Sequence, residues 1–263
     1  MVAPVFFGLV VGLSLGLTGG GGSIFAVPLL VYGLGLDFHA AVAVSLMVVG
    51  AVAAFGATVH GIRREVLWGA GLMLGLGGLL SAPLGAALGR ALSDRISLGL
   101  FALVMVGVGY PMVRGGGIGD RLHFDDLRCP LDPLGRPSFS PRCATKLLIS
   151  GVVVGVLSGL FGVGGGFLIV PALLMVLPIK FETALTSSLV SITVISISGV
   201  VAHRSDLSGA DPTTVLLFFT GGLVGMLTGI RLKSRLDRAR LRRIFGGITL
   251  GAAFLVLALA ATR

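Results

Sequence analysis

Charge is scarce in this chain. Only 12% of its 263 residues are Asp, Glu, Lys or Arg, against about 25% in a typical soluble domain. Acidic residues are the rarer kind, 11 against 20 basic ones. None of either sign lies inside the long apolar runs. That excludes an intramembrane proton relay built on carboxylates. Cysteine is limited to Cys129 and Cys143, with no CxxC and no Cys/His metal spacing. That excludes a sequence-legible zinc site. The two read as separate thiols, although an oxidising compartment would allow one disulfide between them. Also missing are the roughly ten-residue alternating segments of a membrane β-barrel.

What the chain does contain is 55% hydrophobic residues and a mean hydropathy of +1.04. They form long uncharged runs at 1–36, 40–59, 66–89, 96–113, 147–179, 183–202, 212–230 and 244–262. A run of about 18 or more apolar residues reads as a membrane span. The expectation is therefore an all-α, multi-pass protein of a bacterial-type inner membrane, with the lipid bilayer as its first partner. The formal net charge of +9 fits Lys and Arg gathered in cytoplasmic loops better than a nucleic-acid surface. The first segment lacks a charged n-region and a cleavage site, so it does not read as a removable signal.

One stretch, 114–146, is polar and rich in Pro, Gly and charge. It reads as a linker between a first unit, 1–113, and a second, 147–263. Those units are alike. A shift of 143 residues lays Gly12, Gly16, Gly19, Gly21 and Gly22 on Gly155, Gly159, Gly162, Gly164 and Gly165. It also lays Pro28 on Pro171, Ser45-Leu46 on Ser188-Leu189, and His60 on His203. This is a tandem duplication, with about four apolar helical segments per repeat and about eight in total. The first segment of each repeat is broken at a glycine run, near 19–23 and 162–166. Paired glycine-interrupted segments are the sequence sign of a secondary transporter.

The broken segments allow two topologies. The first has about 15 apolar residues before its break and about 12 after it, roughly 22 and 18 Å, against a bilayer core of about 30 Å. If both parts cross in line, basic residues divide evenly between the two faces. If the chain turns back at the glycines, the repeats are inverted and sixteen of the 20 basic residues share one face. Asymmetry is the rule, with the positive side inside. The re-entrant, inverted arrangement is therefore expected, with the linker and RLKSRLDRARLRR cytoplasmic and the cysteines reduced.

A helix that restarts after such a break presents unpaired N–H groups and a partial positive charge. Such ends hold anions. The candidate substrate-binding residues are Gly19, Gly20, Gly21, Gly22 and Ser23 in the first repeat, and Gly162, Gly164, Gly165 and Gly166 in the second. Ser23 reads as an N-cap, with Gly166 in its place in the other copy. Hydroxyls that can hold an oxyanion without charge come from Ser45, Ser187 and Ser188. Thr183, Ser187 and Ser191 form one polar stripe, whose plainer reading is hydrogen bonding between helices. His60 and His203 are candidates for gating or proton linkage, histidine being the side chain whose ordinary pKa lies near neutral pH. Asp37 and Glu182 suit the helix starts they precede. Gly12-x-x-x-Gly16 reads as a helix-packing pair. Gly12-Leu13-Ser14-Leu15-Gly16 matches GxSxG, but inside an apolar run rather than a strand–turn–helix elbow. No nucleophile–base pair, dinucleotide fingerprint or Walker loop is present. No enzyme and no cofactor is expected.

The repeated pattern G-L-x-G-x-G-G-G-x-x-x-V-P-x-L, followed by A-x-x-x-S-L, resembles the TauE/SafE membrane proteins. The resemblance covers both halves apart from the linker. The first copy departs from the second, reading Thr18-Gly19-Gly20-Gly21-Gly22-Ser23 where the other has Phe161-Gly162-Val163-Gly164-Gly165-Gly166. The resemblance implies a sulfite exporter or sulfonate permease, carrying a sulfur oxyanion or organosulfonate such as sulfite or sulfoacetate. The alternative is an anion channel, or a membrane scaffold whose glycines serve packing alone.

Overall fold

A hydrocarbon environment leaves the backbone no water to bond, so a lipid-spanning chain must pair its own amides within helices. The computed structural model describes residues 2–20, 22–62, 65–92, 94–113, 129, 140–161, 166–204, 206, 211–233, 243–247 and 249–254. Among these the regular structure is helical, with no strand. The helices are α1 (Val2–Thr18), α2 (Ser23–Pro28, widened into a π turn over Leu29–Gly33), α3 (Phe38–Ile62), α4 (Trp68–Ala91) and α5 (Asp94–Val113). After the polar stretch come α6 (Pro141–Phe161), α7 (Gly166–Val176), α8 (Phe181–Ala202) and α9 (Pro212–Lys233). A shorter apolar helix, α10 (Arg243–Phe254), follows.

Among the described residues, five helices are long and apolar enough to cross a membrane: α3, α4 as far as Gly89, α6, α8 and α9. The eight expected segments are thus not eight equal spans. The runs at 1–36 and 147–179 each split into a helix and a shorter companion. The polar stretch also ends sooner than its composition suggests, because α6 already starts at Pro141.

The first split is a hairpin. Gly19 takes the left-handed φ of +66°, a conformation cheap only for glycine. Beyond it the chain doubles back: Gly22 lies against the backbone of Val11 and Leu15, and Gly33 against the ring of Phe7. α2 and its π turn therefore run antiparallel to α1. Pro28, which cannot donate to the helical ladder, stands where α2 loosens into the wider turn.

The second split behaves alike. Residues 162–165 lie outside the described residues, but the start of α6 and the end of α7 are tied together through Cys129. Cys129 is disulfide-bonded to Cys143 near the start of α6, and its amide donates to the carbonyl of Val176 at the end of α7, 2.8 Å away. The beginning of α6 and the end of α7 therefore sit side by side. This corrects the reading of the cysteines as separate thiols. They stand 14 positions apart in sequence, a spacing that does not by itself announce a bond.

Close glycine contacts fix the helix directions. Gly8, Gly12 and Gly16 of α1 meet the backbones of Phe218, Gly222 and Met226 in step, so α1 and α9 are parallel. Gly77 and Gly85 of α4 meet Leu148 and Val156 of α6 in the same sense. These are the backbone approaches that small residues permit in lipid, and they account for Gly12 and Gly16 by packing. Between α3 and α8 the register is reversed: Gly50 faces Ser196, Gly56 faces Leu189 and Gly199 faces Leu46. α3 runs with α9, through Gly56 on Met226 and Gly222 on Val52. α8 runs with α4, through Ser191 to the Gly71 carbonyl (2.7 Å) and Ser198 to the Leu79 carbonyl (2.6 Å). So α1, α3 and α9 point one way and α4, α6 and α8 the other. The two hairpins enter from opposite ends, around a central α3–α8 pair that is the most buried of the span-length helices.

Candidate functional site

The turn of the first hairpin meets the start of α7 inside the bundle. Gly20 of the first stands against Gly166 of the second, backbone to backbone. Gly19 lies on Leu185 of α8. One turn along α8, Ser188 donates its hydroxyl to the Gly19 carbonyl at 2.5 Å and shares it with the Leu185 carbonyl at 2.8 Å. The first tip is thereby held by a side chain of the other half.

Ser23 is buried at the start of α2, but it does not cap it. Its hydroxyl donates to the Gly20 carbonyl (2.7 Å), whereas an N-cap oxygen would accept an amide. The position before α2 belongs to Gly22, which is already helical and makes no side-chain cap bond. The turn is tightened instead by its own amides: Ser23 N–H reaches Gly20 at 3.3 Å and Phe25 N–H reaches Gly22 at 3.2 Å. Both donors are thus engaged by the turn.

Ser45, the counterpart of Ser188, is treated differently by the fold. It is fully buried on α3, and its hydroxyl has no hydrogen-bond partner. Ser14, Ser158 and Ser196 share that condition. Sequence reasoning did not select these three. Ser14 and Ser158 do lie in the broken segments, shortly before the glycine runs, which is a signal that could have found them. A buried hydroxyl left unpaired costs roughly 1–3 kcal/mol, so four of them in one bundle ask for an explanation.

Ser187 is drawn away from the tips. Its oxygen accepts the amide of Leu67 at 2.9 Å, and its neighbour Thr186 donates to the Glu65 carbonyl at 2.6 Å. These bonds pin the α3–α4 loop onto the start of α8. With Ser191 bound to Gly71, two of the three stripe positions serve helix packing, as their spacing allows.

The two histidines do not approach the tips together. Each ends a central helix, and because α3 and α8 are antiparallel they lie at opposite ends of the bundle. His60 is 3% exposed and its Nδ1 lies 2.6 Å from Glu65 Oε2. Glu65 was not legible as its partner, since it sits in a loop beyond the apolar run. His203 Nδ1 lies 3.1 Å from the Gly199 carbonyl and belongs to the turn that ends α8. Gly21, Gly162, Gly164 and Gly165 lie outside the described residues. The structure therefore gathers Gly19, Gly20, Ser23, Gly166 and Ser188 into one locus, and leaves Ser187, His60 and His203 away from it.

The family described as "Sulfite exporter TauE/SafE" matches residues 5–256. A "Probable membrane transporter protein" of Xylella fastidiosa strain 9a5c is 33% identical over 261 residues, 98% of this chain and 95% of that protein. YunE, a "Probable membrane transporter protein" of Bacillus subtilis strain 168, is 27% identical over 213 residues, 77% of each chain. MJ0441 of Methanocaldococcus jannaschii bears the same description and is 26% identical over 206 residues, 76% of this chain and 70% of that one. No solved structure matches the chain significantly.

Proposed function

The chain belongs to the TauE/SafE family of multi-pass membrane transporters, and on that premise we propose that it is a secondary carrier of a small anion, of the sulfur-oxyanion or organosulfonate class. The observation that carries this reading is the backbone contact of Gly20 with Gly166, between two broken segments that enter from opposite ends of the bundle. Discontinuous segments that meet at mid-depth are where secondary transporters bind substrate. Irregular backbone at that depth is tolerated only when buried or lining a cavity.

In this reading the described arrangement is the closed form. The anion is taken up where the tips part, and the helix starts after the breaks supply the positive end of a dipole. Gly19, Gly20, Gly21, Gly22, Ser23 and Ser188 serve one tip. Gly162, Gly164, Gly165, Gly166 and Ser45 serve the other. No step is enzymatic and no cofactor takes part. Residues 1–113 and 147–263 are two inverted-topology repeats joined by the polar stretch. Alternating access comes from one repeat moving against the other. The face carrying the linker and sixteen of the 20 basic residues is cytoplasmic.

Flux into proteoliposomes tests the proposal. Labelled sulfite, thiosulfate, sulfoacetate and taurine are offered separately. Saturable uptake of one of them, accelerated by the same anion loaded on the far side, is the expected result. Non-saturable flux would identify a channel, and no flux of any of the four would favour the scaffold.

A further inference from the structure

The disulfide lies where the charge pattern says it should not persist. Cys129 is 3% exposed and Cys143 is fully buried. Their Cα atoms are 5.2 Å apart, and Cys129 also caps Val176, one of the last carbonyls of α7, with its amide. A single linker residue therefore holds both arms of the second hairpin at its open end, covalently at α6 and by a hydrogen bond at α7. The same end of the bundle carries Arg142 and Lys146 at the start of α6, Lys180 just before α8, and Arg231 and Lys233 in the last turn of α9. That excess of positive charge assigns the face to the cytoplasm, where thiols are kept reduced and a disulfide forms only transiently, in sensing or catalysis.

We propose that Cys129 and Cys143 are a redox-controlled latch on the second hairpin. Oxidised, the pair holds Cys129 against the start of α6 and the end of α7 and so restrains the two helices, the second of which meets Gly20 through Gly166. Reduced, it frees Cys129 from α6, and the Val176 carbonyl loses its donor. The oxidant is a small-molecule disulfide. One cysteine thiolate attacks it, forming a mixed disulfide and expelling one small thiol. The second cysteine thiolate then displaces the other small thiol and closes the protein disulfide. Two protein thiols and one small disulfide become one protein disulfide and two small thiols, so electrons and protons balance. The inference rests on the topology in the transporter reading, which places the linker inside.

Two measurements on the full-length protein test it, and neither needs a transported substrate. First, thiols are trapped in intact cells by acid quench and a polymer-linked maleimide, and the shift is read on a gel. The pair should be reduced in growing cells and oxidised after an oxidising pulse. A pair found oxidised without the pulse is a permanent staple and overturns the latch. Second, amide hydrogen exchange is followed on protein in nanodiscs, with oxidised and reduced glutathione as the two conditions. Exchange over 166–177 should be several-fold faster in the reduced form. C129S and C143S should hold the faster rate in both conditions. The wild-type comparison stands even if a variant does not fold, and equal exchange in the two wild-type forms overturns the proposal. Failure of the transporter reading would appear separately, as absent anion flux from fully reduced protein.

Discussion

Gly20 and Gly166 touch through their backbones, each occupying the space where the other's side chain would stand. They come from hairpins that enter the bundle from opposite ends, so this contact joins the two halves at their tips. A methyl group on either would strike the partner's carbonyl, and backbone cannot yield as a flexible side chain can. Gly20→Ala and Gly166→Ala should therefore each abolish or strongly reduce anion flux and lower the melting temperature. Gly99→Ala is the control. That glycine lies on α5 with nothing near its Cβ position, and alanine there should stabilise the helix by up to about 1 kcal/mol. Thermal denaturation in detergent beside flux in liposomes measures both effects. Unimpaired flux in the two tip variants would show that the tips do not have to fit.

Ser188 and Ser45 occupy equivalent positions in the two halves but differ in partners. Ser188 spends its hydroxyl on Gly19 and Leu185, whereas Ser45 spends its own on nothing in the protein. Ser188→Ala should destabilise by roughly 1 kcal/mol or more, since it strands a buried carbonyl. Ser45→Ala should leave the melting temperature unchanged or slightly raised. If the free hydroxyl serves the guest, the same variant should raise the KM for the transported anion with little change in maximal rate. A KM equal to wild type would remove Ser45 from the site.

The division of labour between these serines shows what a sequence can convey. Composition and run length carry the membrane class, because transfer of charge into lipid forbids most other residue choices. The recurrence of Gly, Pro, Ser-Leu and His in one register is equally legible. The count of spans is not. A run such as 1–36 is apolar whether it crosses or turns back; the charge pattern favours the turn, and Gly22 against Val11 and Leu15 shows it. Partner choice is hidden as well. Nothing local to Ser188 announces that its acceptor lies 169 residues earlier, or that Glu65 waits beyond the run that ends with His60. Ser23 was misread for a related reason. Its type suits a cap, but the glycine turn before it places a carbonyl, not a free amide, beside its hydroxyl. The cysteine pair was lost because spacing alone carries no information about a linker that folds back.

Acid should weaken the start of α9 in a predictable sense. Asp211 immediately precedes Pro212, whose missing N–H suits the first helical position. Its carboxylate accepts the amides of Thr213 (3.3 Å) and Thr214 (3.1 Å) and the Thr214 hydroxyl (3.0 Å). The Thr214 hydroxyl, followed by these amides, holds the carboxyl below its ordinary value of 3.8. A group whose folded pKa is depressed contributes stability that is complete above the unfolded pKa. That contribution is lost as pH falls through the folded value. Asp211→Ala should therefore melt below wild type at neutral pH. The gap should narrow only as pH drops beneath 3.8. A gap that persists unchanged at lower pH would mean that the loss is one of packing and not of the ionised cap.

Sidedness is the remaining expectation, and the helix directions make it sharp. α5 runs opposite to α4 on the alternating path of the chain, so the linker leaves the bundle on the face where α3 ends and α6 begins. The loop between α8 and α9, containing Arg204 and Asp206, leaves on the other face. A compartment-sensitive reporter inserted near Gly135 should therefore be active in the cytoplasm. The same reporter after Asp206 should be active outside. A crossing first segment would instead place both α1–α2 and α6–α7 across the membrane in line and divide the basic residues equally between faces. The reversed result, with Gly135 outside and the loop after Asp206 inside, would leave the inverted arrangement of helices intact. It would, however, assign sixteen of the 20 basic residues to the wrong face and make the Cys129–Cys143 bond an ordinary extracytoplasmic staple. Reporter fusions at both positions thus test charge as the determinant of orientation independently of the fold, because the contacts fix only the helices relative to one another.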